Sequence, residues 1–237
     1  MFAQARITQG ALYLLFVTAG LSFVYLLGGD EVKARMGSLM VATGYSLWGE
    51  LKLWQLATSP LIEIDFISLL FQGFALWMFL PALERWWGIK RFLTFAAVTS
   101  VVGVVVGSLV GVLLGGGSEM VPLAGLDPFV FAGIVAYGIL FAHQPVSFFG
   151  VLPMTGRQLT WGIIAFVGLF IVLGQAWVEG AAMAAAMITA WAMTSQRASP
   201  RLWLLKMKQE RLRRRSHLKV VGDPQRGGKK NEKRWMN

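Results

Sequence analysis

The chain has 237 residues, 56% of them hydrophobic and 14% charged, with a mean hydropathy of +0.59. A soluble domain usually carries about 25% charged residues, so this much apolar surface calls for lipid as solvent. The absence of cysteine excludes a disulfide framework, thiolate metal sites and a cysteine nucleophile, and two histidines offer little else, so no cofactor or metal is expected. The net charge of +10 is local: residues 196–237 hold fourteen Lys/Arg and three Asp/Glu, whereas residues 1–195 hold eight and nine.

Crossing roughly 30 Å of hydrocarbon takes about 20 residues of helix. The first candidate span is Gly10–Gly29, uncharged and without a convincing cleavage site, which predicts an anchor and not a removed signal peptide. A mixed stretch from Asp30 to Asp65 follows, too polar to span and too apolar for a free loop, and is expected to lie half-embedded. Further spans are expected at Phe66–Leu83, Phe92–Leu114, Asp127–Phe141, Leu159–Gly174 and Trp177–Thr194. Only Gln175 and Ala176 join the last two, which predicts a tight antiparallel hairpin. The expected fold is thus an all-α, six-span integral membrane domain over residues 1–195. A basic cytoplasmic tail, 196–237, follows it, first an amphipathic helix and then disordered.

Arg85, Lys90 and Arg91 follow the second span, Arg157 follows the fourth and the basic tail follows the sixth. The loops after spans three and five carry only Glu119 and the neighbouring Glu179. By the positive-inside rule both termini are cytoplasmic. Gly103, Gly107, Gly111 and Gly115 make a small-residue stripe every four residues, and Gly180 and Ala184 begin another, which predicts close helix packing within the bundle. Trp48, Trp54, Trp86 and Trp87 read as interfacial anchors. In the tail, Arg211, Arg213, Arg214 and Arg215 suit anionic lipid head groups; without an aromatic stacking motif, nucleic acid is not an expected partner.

Several motifs in order resemble the rhomboid intramembrane serine proteases. They are Trp54-Gln-Leu-Ala-Thr58-Ser-Pro60, Ser68-Leu-Leu-Phe-Gln72, Glu84-Arg-Trp-Trp-Gly88, Ala124-Gly125-Leu126-Asp127-Pro128, Phe148-Phe149-Gly150 and Trp177-Val-Glu-Gly180. The resemblance covers about residues 10–195 and implies a six-helix rhomboid-like bundle. It departs from that family at the chemistry. The nucleophilic serine position reads Asp127 or Pro128, the histidine position reads Trp177, the H-x-x-x-N pair reads Ser68 and Gln72, and the first-loop arginine reads Gln55. A serine hydroxyl needs a neighbouring base to attack an amide, and no candidate span contains a histidine.

The resemblance therefore implies a pseudoprotease with no catalytic residues, placed in a bacterial inner membrane, that binds transmembrane segments of partner proteins in scaffolding, assembly or quality control. A permanent structural subunit of a larger membrane complex is the alternative, and an atypical intramembrane protease is a third reading. Among the polar residues in the spans, Asp127 with Pro128 is expected to cap its own helix. Glu179 is expected at the solvated external interface, Gln72 in an interhelical hydrogen bond, and Trp177 as filler of a former cavity. Gln72, Asp127 and Glu179 could together line what remains of it.

Overall fold

The computed structural model describes residues 7–142, 145–148 and 152–195. Arg211, Arg213, Arg214 and Arg215 and the rest of the tail lie outside the described residues. In chain order the elements are α1 (Gln9–Leu27), α2 (Asp30–Met40), a π turn (Tyr45–Gly49) and α3 (Gln55–Thr58), which runs into a 3-10 turn (Ser59–Leu61). Then come α4 (Phe66–Met78), α5 (Leu80–Trp87), α6 (Ile89–Leu114), a 3-10 turn (Ser118–Met120) and α7 (Asp127–Leu140). A short antiparallel hairpin of β1 (Pro145–Phe148) and β2 (Leu152–Thr155) leads to α8 (Gly156–Gly174) and α9 (Trp177–Thr194). The hairpin is a small departure from the all-α expectation.

Three helices, α1, α6 and α8, are long and apolar enough to cross a membrane, and a fourth span is possible if the bent pair counts as one. That pair is α3 with its 3-10 turn, followed by α4, and the two halves meet at 86°. The sequence reading of an unbroken span over Phe66–Leu83 is corrected: α4 ends at Met78 and α5 starts at Leu80. Pro81 lies in the first turn of α5, where it has no N–H to continue the ladder of the preceding helix. At 14 residues α7 reaches only about 21 Å. It can be short because most of its length is enclosed by protein. Residues Pro128 to Ala136 are all buried.

The core sits around α7. Phe92 and Phe95 of α6 meet Phe129 edge-on at centroid distances of 5.6 and 6.1 Å, the arrangement the ring quadrupole favours. Alongside, α9 packs on α6 through its small-residue face. A Cβ on Gly103 would come within 2.6 Å of Pro128 Cβ and 3.1 Å of the Ala182 carbonyl oxygen. At Gly107 it would meet Ala182 Cβ at 2.9 Å and the Val178 carbonyl oxygen at 3.0 Å, and at Gly111 the Ser118 carbonyl oxygen at 2.8 Å. Gly103 and Gly107 thus admit neighbouring helices, as the spacing predicts, while Gly111 admits the 3-10 turn that follows α6. Gly115 admits nothing. With φ +61° it is the C-cap of α6 and faces open space, so its role is to end the helix. Ala184 is likewise corrected: Ala182, Ala186 and Ala190 are the buried alanines of α9, while Ala184 is half-buried and lines a groove.

Candidate functional site

At one end of the bundle, where α7 and α9 begin and α8 ends, there is a recess of about 240 Å³. Glu63, Asp65, Asp127 and Glu179 are among the residues lining it, with Ser68, and no Lys or Arg. Its inner wall is organised by Gln72. The side-chain amide nitrogen donates to Glu63 Oε2 and to Asp127 Oδ1, the latter at 3.0 Å, while the amide oxygen accepts from Leu126 N at 3.3 Å. One buried amide therefore joins α4, the turn before it and the start of α7. Glu63 is held from its other side as well. Its Oε1 accepts from the backbone N–H groups of Ile64 and Asp65 at 2.9 and 3.3 Å, and its own N–H donates to Ser22 Oγ of α1 at 2.8 Å.

Gly125 makes this approach possible. Its φ of +83° suits glycine, and any Cβ there would collide with Glu63 Oε2 and the Gln72 amide nitrogen. Its N–H donates to the Ser59 carbonyl at 2.9 Å, which ties the α7 entry to the bent pair. At the rim, Asp65 is exposed and caps α4 by accepting from Ser68 N at 2.8 Å. That bond, with the Ser68 hydroxyl, holds its carboxyl below the usual carboxylate range. Chemically the inner wall is a clamp: an amide with no ionisable proton keeps two carboxylates apart as acceptors.

The structure brings Ser68, Asp127, Pro128 and Glu179 to this one recess and sets Gln72 behind it, as an interhelical hydrogen bonder. Glu179 is half-buried at its lining. Two expectations fail. Asp127 does not cap α7: the N-cap is Leu126, no side chain caps the helix, and the carboxylate turns to Gln72 instead. Trp177 fills no cavity, since it stands 52% exposed at the first position of α9. The residue that sequence reasoning missed is Glu63, at 4% exposure. The only hint was its place between the apolar run Leu61-Ile62 and Ile64. Gln55 is also buried, accepting from Ser46 Oγ and donating to the Ser38 carbonyl at 3.0 Å.

Glu84 is a second buried carboxylate the sequence left unexplained. It accepts from Gly10 N at 2.8 Å, Ala11 N at 2.9 Å and the Thr8 hydroxyl. The start of α1 has no side-chain cap of its own, so α5 supplies one.

At the opposite end, where α7 ends, α8 begins and α9 ends, a groove of about 620 Å³ opens sideways. Its floor is α7 (Val135, Gly138, Ile139), and its walls are α8 and α9. The helix geometry explains it. The α8–α9 hairpin is closed at its turn, where Gly180 admits Ile171, and α8 is held to the end of α7 where Gly138 admits Thr160. Between these pins α8 and α9 leave a gap. The walls are apolar but for Thr160 and Arg157. Among the described residues, no group of three His, Cys, Asp or Glu side chains is placed to hold a metal ion.

A family described as eukaryotic integral membrane protein (DUF1751) matches residues 9–194, all six expected spans. The chain belongs to this family. No curated protein matches the chain. Family membership corrects two expectations. The resemblance to rhomboid proteases does not stand, because the family that spans the chain is this one. Its residues have structural explanations here: Gln72 clamps Glu63 and Asp127, Glu84 caps α1, and Trp177 is exposed. The family's description as eukaryotic contradicts the expected bacterial inner membrane, while the integral membrane character stands.

Proposed function

We propose that this protein is a non-enzymatic membrane protein that holds the transmembrane segment of a partner in the groove between α8 and α9. The observation that carries it is the groove itself. Its volume, about 620 Å³, falls in the range typical of binding clefts, and its lining includes Ala142 and Ala184, small side chains that let another helix backbone come close. Exposed apolar residues are ordinary on a lipid-facing surface; a concave cleft lined in part by small residues is not.

Six crossings with both ends in the cytoplasm suit this arrangement, with α4 and α5 together forming one of them. Arg85, Lys90, Arg91 and Arg157 then share the cytoplasmic side, and Glu119, Glu179 and the acidic recess the other. Arg211, Arg213, Arg214 and Arg215 of the tail would meet anionic lipid on that cytoplasmic side.

The test is a photoreactive residue at Ile188 in native membranes, with Phe16 on the exposed face of α1 as the reference position. The expected result is a crosslink that maps inside an apolar stretch of about 20 residues of one partner and disappears in Ala184→Trp. Equal labelling of the same proteins from Phe16 would show a lipid-facing surface with no docking site. A partner that remains stoichiometric through purification would make the chain a permanent subunit.

A further inference from the structure

The groove is apolar along its walls and has one cation, Arg157, at the end where α8 begins. Glu31 pairs with Arg35 and Glu50 with Lys52, and among the described residues no side-chain bond engages Arg157. The sequence offers no carboxylate nearby either. Residues 142–161 contain no Asp or Glu, and neither does α9 beyond Glu179. Two of the other cations at this end of the bundle are occupied. Arg85 donates to the Pro81 carbonyl at 3.2 Å, and Arg91 lies over the Trp87 ring at 5.5 Å.

A helix seated in the groove would cover the guanidinium. Desolvating a charge without a partner is costly, and an opposite charge with hydrogen-bonding geometry offsets that cost. A guanidinium presents a planar fork of donors that suits a carboxylate in particular. A basic residue at the same height would be repelled, and basic residues are what most membrane segments carry at their cytoplasmic border.

We propose that the groove is selective by charge: it takes membrane segments that carry an Asp or Glu at the border residue level with Arg157. This rests on the groove being a docking site for a transmembrane segment. The small residues of its lining, Ala142 and Ala184, favour a helix over a lipid chain as the occupant, because a lipid chain gains nothing from close backbone approach.

The test uses the full chain in phosphatidylcholine nanodiscs with a photoreactive residue at Ala184. Two Leu/Ala single-span peptides, identical except for Glu or Lys at the border on the Arg157 side, compete for capture. The Glu peptide should be captured roughly fivefold more, the ratio expected of a partly exposed ion pair. Arg157→Gln should abolish the preference and Arg157→Glu should invert it; Arg157 is exposed, so both variants should keep the wild-type melting temperature. Equal capture of the two peptides overturns the charge selection and leaves the docking site standing. No capture of either overturns both. Loss of the preference on adding phosphatidylglycerol would assign Arg157 to lipid phosphate and would also overturn the proposal.

Discussion

The contact between Glu84 and the start of α1 can be tested by removing the carboxylate. In Glu84→Ala the amides of Gly10 and Ala11, both buried residues, lose their acceptor. A buried N–H left unpaired costs about 1–3 kcal/mol, so two of them cost roughly 2–6 kcal/mol. With about 2–4 °C of melting temperature per kcal/mol for a chain of this size, a loss of about 10 °C is expected in a detergent thermal scan. Glu84→Gln keeps one acceptor oxygen and should lose about half as much. A double-mutant cycle isolates the contact. A Cβ on Gly10 would lie 2.9–3.0 Å from the carboxylate atoms, so Gly10→Ala should destabilise by roughly 1–3 kcal/mol through overpacking. That cost should vanish when Glu84 is already alanine. A melting temperature within 2 °C of wild type for Glu84→Ala, or additive effects in the cycle, would refute the capping role.

Gly107→Leu should unfold the protein or lower its stability by about 3 kcal/mol, because the Val178 carbonyl at 3.0 Å from the built Cβ is backbone and cannot turn aside; a thermal scan checks it. Gln72→Leu fills a similar volume but leaves Glu63 and Asp127 facing each other without a donor. A loss of about 3 kcal/mol is expected, partly restored when Asp127→Asn is added. For Asp65, the folded pKa lies below the unfolded one. Its stabilisation is therefore complete above the unfolded value of about 3.9 and fades as pH falls through the folded value. Asp65→Ala should be less stable than wild type by a constant margin from pH 5 to 8 and converge with it only in acid; Asp65→Asn, which keeps the cap, should track wild type at neutral pH.

What the sequence made legible was whatever depends on local pattern. The Gly103 and Gly107 spacing identifies the α6 face that meets α9, and the bounds expected for the last helix, Trp177–Thr194, are those of α9. Pro81 carries a local signal for the α4–α5 break, yet the reading of the sequence runs an unbroken span through it. Glu63 and Glu84 were not legible as buried groups. Each sits next to residues that mark a water-facing border, Asp65 in one case and Arg85 in the other, and their burial comes from partners 9 and 73–76 residues away. Asp127-Pro128 shows a related limit. The cap pattern was sound local chemistry, but Gln72 competes for the same carboxylate, and only the fold brings the two together.

The two-residue link between α8 and α9 ties the depth of one helix to that of the other. Gln175, at φ +51°, turns the chain at once, and two extended residues reach only about 7 Å. The end of α8 and the start of α9 must therefore lie at one level. Strongly apolar α8 is long and apolar enough to cross a membrane, whereas α9 is rich in alanine and holds Glu179. Any sliding of α8 along its axis carries Glu179 with it, so the apolar helix sets how deep that carboxylate stands. A longer link would release this coupling and let α9 take its depth from its own side chains.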